Sequence, residues 1–261
     1  MGSSPTPPEP PPLTGLPGPW AQHPFVIGDR WRWHEARYLC APRALVVGMA
    51  ARAGHHPGRA RSITALGDPG AVAELVANRS EEVLHGFAPQ SVSLPPGAWD
   101  LLPAALRDRW NLPRRGRWDW MWTEQVPPAH HLEDQVVPLE IPRHLEQIHA
   151  VQAVALPGTH FGPDRSGSTW FGIWRGAAEL AAVAGSFDWV NAVHLGGIGT
   201  RPDLRGSGLG SALTAAITRA GVSRFGRVSL GVYADNLRAK ALYARLGYAV
   251  GHELDSRHVA A

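Results

Sequence analysis

Apolar positions along the chain recur at two spacings. Residues 43–49, Arg-Ala-Leu-Val-Val-Gly-Met, make a short apolar run of strand length, and Asp68-Pro69 followed by Val72, Leu75 and Val76 predicts a capped amphipathic helix. Residues 95–109, with Leu101, Leu102 and Leu106, predict a second helix. Trp118, Trp120 and Trp122 then alternate with Asp119, Met121 and Thr123, so a strand projects three indoles from one face. Indoles in such a row are expected chiefly to pack a core or a seam. Beyond Pro127-Pro128-Ala129-His130-His131, which marks a boundary, the rhythm restarts. Residues 136–141 predict a strand, and Pro142 is expected to open a helix carrying Leu145, Ile148, His149 and Val151. Residues 169–174 and 180–184 predict an antiparallel hairpin turning near Gly176, and residues 189–200 another strand. Leu209, Ala212, Leu213, Ala216, Ile217 and Ala220 then follow helical spacing, with Gly221 as the expected stop.

Composition narrows the class. With 44% hydrophobic and 18% charged residues, 261 residues can bury a sizeable core, which excludes wholesale disorder. A net charge of +3, from 25 basic and 22 acidic residues spread evenly, makes no nucleic-acid footprint. Cys40 is the only cysteine, which excludes an internal disulfide and a multi-cysteine metal site and suits a reducing cytoplasm. Its neighbours, Tyr38, Leu39 and Ala41, mark it as a small packed residue rather than a nucleophile. His55-His56 and His130-His131 are adjacent pairs, which on a strand face opposite ways, so no metal is expected. No apolar stretch approaches the ~20 residues of a membrane span, and no export signal is visible, so a soluble cytoplasmic protein without a membrane partner is expected. Residues 5–19 are proline-rich and are expected to stay out of the fold.

The informative stretch is residues 198–211, Ile-Gly-Thr-Arg-Pro-Asp-Leu-Arg-Gly-Ser-Gly-Leu-Gly-Ser, which joins a strand to a helix. Glycines remove the side chains that would block close approach, so amides from Arg205 to Gly210 can converge on one anion while the helix N-terminus adds partial positive charge. The alternatives fail on spacing. A Walker loop needs Gly-Lys, and the only lysine, Lys240, lies elsewhere; the dinucleotide fingerprint needs Gly or Ala where Leu213 stands. No serine has the glycines of a nucleophile elbow.

Arg205-Gly206-Ser207-Gly208-Leu209-Gly210 resembles the acyl-CoA pyrophosphate motif of the GNAT, or GCN5-related, N-acetyltransferase superfamily. Residues 228–232 followed by Asn236-Leu237-Arg238-Ala239-Lys240-Ala241-Leu242-Tyr243-Ala244-Arg245-Leu246-Gly247-Tyr248 resemble its last strand and helix. The resemblance is greatest to the FR47-like branch and runs from about Val136 onward. It implies an α/β fold built on a mixed sheet, with acetyl-CoA as donor co-substrate. By analogy with two-lobed members, residues 21–130 are expected to form a degenerate GNAT-like lobe and residues 131–261 the catalytic one, after a disordered tail over residues 1–20.

The same resemblance implies the site. Ile198, Gly199 and Thr200 would lie along the pantetheine arm, Arg205, Gly206, Ser207, Gly208, Leu209, Gly210 and Ser211 would hold the diphosphate, and Asn236 would touch the coenzyme. Tyr243 matches the family's general acid. His194 stands where many members place a glutamate base; a histidine titrates in the useful range, and Asp188 and Glu179 are the alternatives. Direct transfer to a primary amine, chiefly of a small molecule, is the expected reaction. Acetylation of a protein N-terminus or lysine, and a silent acyl-CoA-binding or regulatory module, are the other readings. Oligomeric state is left open, a homodimer being compatible.

Overall fold

The computed structural model describes residues 15–29, 36–50, 61–84, 88–159, 161–164, 167–176, 178–189 and 192–259; the His55-His56 pair and residues 5–14 lie outside them. In chain order the elements are α1 (Gly18–Ala21), α2 (Pro24–Asp29), β1 (Arg37–Ala41), β2 (Ala44–Ala50), β3 (Arg61–Gly67), α3 (Pro69–Leu84), β4 (Ser91–Leu94), α4 (Ala98–Leu101), α5 (Ala104–Trp110) and β5 (Arg114–Thr123). Then follow β6 (Val137–Leu139), α6 (Leu145–Ala155), β7 (Ser168–Arg175), β8 (Glu179–Trp189), β9 (Ala192–Thr200), α7 (Leu209–Phe225), β10 (Val228–Tyr233), α8 (Leu237–Arg245) and β11 (Ala249–His258). They gather into two compact units, the first made of described residues up to 120 with 232–237 and those from 250 on, the second of 121–231 and 238–249.

In the first unit the strand order is β1-β2-β3-β4-β11-β5. β1, β2 and β3 form an antiparallel meander, while β4 lies parallel to β3 across α3, pairing Ser62 with Ser91, Ile63 with Val92 and Thr64 with Ser93. β2 is buried on both faces, which is why it reads as an unbroken apolar run. α3 begins as expected, for Asp68 Oδ1 accepts the Ala71 N–H at 2.9 Å, an N-cap that Arg43 Nη2 reinforces at 2.7 Å. The helix expected over residues 95–109 is two helices, because Leu102, preceding Pro103, is driven to ψ 144° and stops α4. The proline-rich stretch joins the fold earlier than its composition suggests: Leu16 and Trp20 are buried, and Trp20 Nε1 donates to the Ala41 carbonyl at 3.0 Å. Trp120 is fully buried edge-on to Phe25, and Trp118 Nε1 donates to Ser256 Oγ at 2.7 Å.

In the second unit the order is β10-β9-β8-β7-β6. Four antiparallel strands run from β6 to β9, and β10 returns parallel to β9 across α7. The hairpin turning near Gly176 is present as β7 and β8, but β8 extends to Trp189, so the next strand starts only at Ala192. α6 starts at Leu145 rather than Pro142; a turn closed by Leu145 N–H to Pro142 O precedes it. α7 runs past Gly221 to Phe225. A Cβ at Gly221 would lie 2.6 Å from Val228, so that glycine serves close helix–strand packing, and Gly226 at φ 79° is the stop. No helix among the described residues is long and apolar enough to cross a membrane.

Candidate active site

Two irregularities in β9 open the site. Against β8, Val183 faces Gly199 and Gly185 faces Gly196, so Ala184 alone stands opposite both Gly197 and Ile198. That extra residue is a β-bulge, which bends the strand and re-aims its backbone groups. Gly197 carries it at φ 61°, with Trp170 2.6 Å and Gln152 Nε2 2.9 Å from where a Cβ would stand. Gln152 is held in turn by donating to the Phe161 carbonyl at 2.8 Å. On the other edge, β10 pairs with β9 only at Val193, His194 and Leu195, through Val228, Ser229 and Leu230. β9 continues to Thr200 beside β8, so the β10-facing edge from Gly196 to Thr200 is not used by β10. An open edge of this kind presents main-chain donors and acceptors to an extended ligand.

The glycine loop follows directly. Gly206 and Gly208 adopt φ 92° and 88°, and Gly208 is the N-cap of α7 without a side-chain cap. The first helical bond runs from Ala212 N–H to Gly208 O, which leaves the amides of Leu209, Gly210 and Ser211 directed out of the helix start. Thr200 Oγ1 lies 3.3 Å from the Cβ position of Gly210, so the end of β9 and the first turn of α7 are in contact. The arc of free amides is shorter than expected, since Arg205 N–H bonds Pro202 O at 3.4 Å and the loop is closed by Ser207 Oγ donating to Leu204 O at 2.6 Å. Arg205 Nη2 donates to the Ala155 carbonyl at the end of α6, at 3.1 Å. Two side chains that sequence reasoning passed over border the loop: Arg238 Nη2 lies 3.6 Å from the Cβ position of Gly206, and His130 packs on Gly208. Arg238 sits five residues before Tyr243 on α8, and its place in the second motif was the available signal.

Tyr243 is buried on α8 with its ring against Tyr248, whose hydroxyl is hydrogen-bonded to Thr218 of α7. Burial pushes the Tyr243 phenol up to about 12. His194 is half-buried on β9, with Nδ1 3.0 Å from Ser229 Oγ. Gly221 of α7 packs against Val193, so alternation turns His194 to the opposite face of the sheet. The alternative bases are engaged by arginines: Glu179 by Arg201 at 3.1 Å and Asp188 by Arg224 at 3.3 Å. Asn236 lies in the turn before α8, its N–H bonded to Tyr233 O at 3.0 Å, in the stretch 232–237 that belongs to the first unit. Among the described residues no group of three His, Cys, Asp or Glu side chains is placed to hold a metal.

The bulged strand β9 thus parts from its parallel neighbour β10 and runs straight into a glycine loop at a helix start. Residues 139–248 match the acetyltransferase (GNAT) family model. Solved structures agree in fold. A GNAT-family protein from Novosphingobium aromaticivorans is 18% identical, with 89% of this chain and 92% of that one covered at a TM-score of 0.53. A Drosophila protein is 19% identical over 83% of this chain and 74% of its own, with a TM-score of 0.59. A GCN5-related N-acetyltransferase from Sphaerobacter thermophilus is 14% identical, over 83% and 80%, at a TM-score of 0.53. A sequence comparison with curated proteins finds no match.

Proposed function

We propose that the chain is an acetyl-CoA-dependent N-acyltransferase of the cytoplasm that acts on a primary amine of a small molecule by direct transfer in a ternary complex. The observation that carries this reading is the parting of β9 from β10 after Leu195 and Leu230, immediately before the glycine loop. In this reading the diphosphate rests on Gly206 to Ser211, with Arg205 and Arg238 at the rim, and the pantetheine arm runs along Ile198, Gly199 and Thr200.

The chemistry asks little more of the chain. The amine arrives largely as an ammonium and must lose a proton before its lone pair attacks the thioester carbon. His194 is the base in this account: the tautomer in which Nδ1–H donates to Ser229 Oγ carries its lone pair on Nε2. The C–N bond forms, the C–S bond breaks, and the negative charge moves to sulfur. Tyr243 donates to that sulfur. A phenol held near 12 stays protonated across the neutral range, and complete transfer to a thiolate whose acid has a pKa near ~8.5 is uphill. The nitrogen sheds a second proton as the amide forms, and of the two it loses one makes up the thiol and the other leaves to solvent.

The first unit fits a degenerate copy of the second. In it, β2, β3, α3 and β4 repeat the order of β8, β9, α7 and β10, including a parallel pair three residues long. Its helix start is closed by Asp68, whose carboxylate stands where the second unit has only amides. We therefore assign donor binding to the second unit. Release of free thiol from acetyl-CoA across a panel of amines tests the reading. Amine-dependent release supports it, whereas donor binding without release across a broad panel would leave a silent binding module.

A further inference from the structure

We propose that His130 donates its Nε2–H to a phosphate oxygen of the acyl donor, so that a loop lying before the family-matched segment completes the diphosphate site. The inference rests on the function proposed above and adds to it a residue that neither sequence motif contains. Leu132 N–H donates to His130 Nδ1 at 3.3 Å, which uses that nitrogen as the acceptor and leaves the proton of the neutral ring on Nε2. The Cε1–Nε2 edge faces the helix start: Cε1 lies 3.2 Å and Nε2 3.4 Å from the Cβ position of Gly208. Among the described residues Nε2 has no hydrogen-bond partner.

The ring is also fixed in place. His131 stacks on it with centroids 4.6 Å apart and planes inclined by 20°. Glu133 Oε1 accepts the His130 backbone N–H at 2.7 Å, and the same carboxylate pairs with Arg219 of α7 at 3.2 and 3.3 Å. The imidazole is thereby tied to the helix whose start it faces. Burial and the neighbouring His131 hold its pKa below the ordinary 6.5, against a smaller opposing pull from Glu133, so the ring is neutral near pH 7 and has one proton to give. A neutral donor aimed at a phosphate oxygen adds a charge-assisted hydrogen bond to those from the α7 amides. Glycine at 208 also gains a second reason: beyond its positive φ, it leaves room for the ring.

Acetyl-CoA and S-acetylpantetheine, which carries the same thioester and no phosphate, separate a phosphate contact from loop support. His130→Ala is expected to weaken calorimetric binding of acetyl-CoA about ten-fold while leaving the response to S-acetylpantetheine unchanged. His130→Gln, whose side-chain amide can set an N–H near the Nε2 position, is expected to recover most of the loss. Affinity of His130→Ala within two-fold of wild type overturns the inference and leaves the proposed function standing. An equal loss for both donors, or no recovery in His130→Gln, also overturns it, since the ring would then only hold the loop. Wild-type protein that takes up no acetyl-CoA overturns both readings together.

Discussion

The rings of Tyr243 and Tyr248 lie 5.9 Å apart, centroid to centroid, inclined by 55°. The Tyr248 hydroxyl is committed to Thr218 Oγ1 at 2.6 Å, so α7 holds one phenol and, through it, seats the other. Tyr243→Phe should keep this ring contact while removing the donor. A fall in kcat of about 100-fold or more, with donor affinity unchanged, is expected from steady-state kinetics beside calorimetry. The active form is the protonated one and its pKa is raised to about 12, so this phenol should cause no loss of rate below about pH 11.

Gly197 tests the bulge. A Cβ there would sit 2.6 Å from the Trp170 ring on a backbone at φ 61°, so Gly197→Ala should cost about 2–4 kcal/mol, from left-handed strain plus overpacking. Gly158, at φ 79° with nothing within 4 Å, isolates the strain. Gly158→Ala should cost only about 1–2 kcal/mol in the same urea titration. Equal losses for the two would remove the packing argument for the bulge.

Donor stoichiometry follows from Asp68. Its carboxylate caps α3 and lies 2.7 Å from Arg43 Nη2, and the Ala71 amide above all holds its pKa below the usual carboxylate value. It stays ionised at neutral pH and repels a phosphate from that helix start. Calorimetry should find one acetyl-CoA per chain; two equivalent sites would contradict the assignment of donor binding to the second unit alone.

Acid should loosen the first unit. His252 Nε2 approaches the Ala65 carbonyl at 3.3 Å, and its ring lies edge-on to His23 and Phe25. Burial lowers its pKa from 6.5 to about 4, and burial lowers that of His23 as well. The unfolded chain therefore binds more protons than the folded one between these values. Stability present above about pH 6.5 is lost as pH falls toward 4, by an amount on the order of 2 kcal/mol for His252. Thermal melts across that window should show a decline that His252→Gln reduces.

Local chemistry was readable wherever one short segment carried it. Asp68-Pro69 announced a capped helix, the 205–210 loop announced a helix start built from amides, and both are found. What escaped depended on partners distant in sequence. Gly221 looks like a helix stop until Val193 and Val228 are seen packing on it. The bulge at Gly197 exists only relative to β8, and its neighbour Trp170 comes from β7. His130 was read as half of a poor chelate because its relation to Gly208 spans most of the second unit. Leu102 could have been anticipated, since Pro103 follows it, but apolar spacing outweighed the proline.

β11 pairs antiparallel with β4, joining Asp255 to Leu94 and His258 to Ser91. The sheet of the first unit thus waits for a strand synthesised after nearly all of the second. During translation β4 must stand with that neighbour missing until the ribosome has passed His258. A truncation between the loop at 206 and α8 would deprive both units at once, one of Tyr243 and the other of its closing strand.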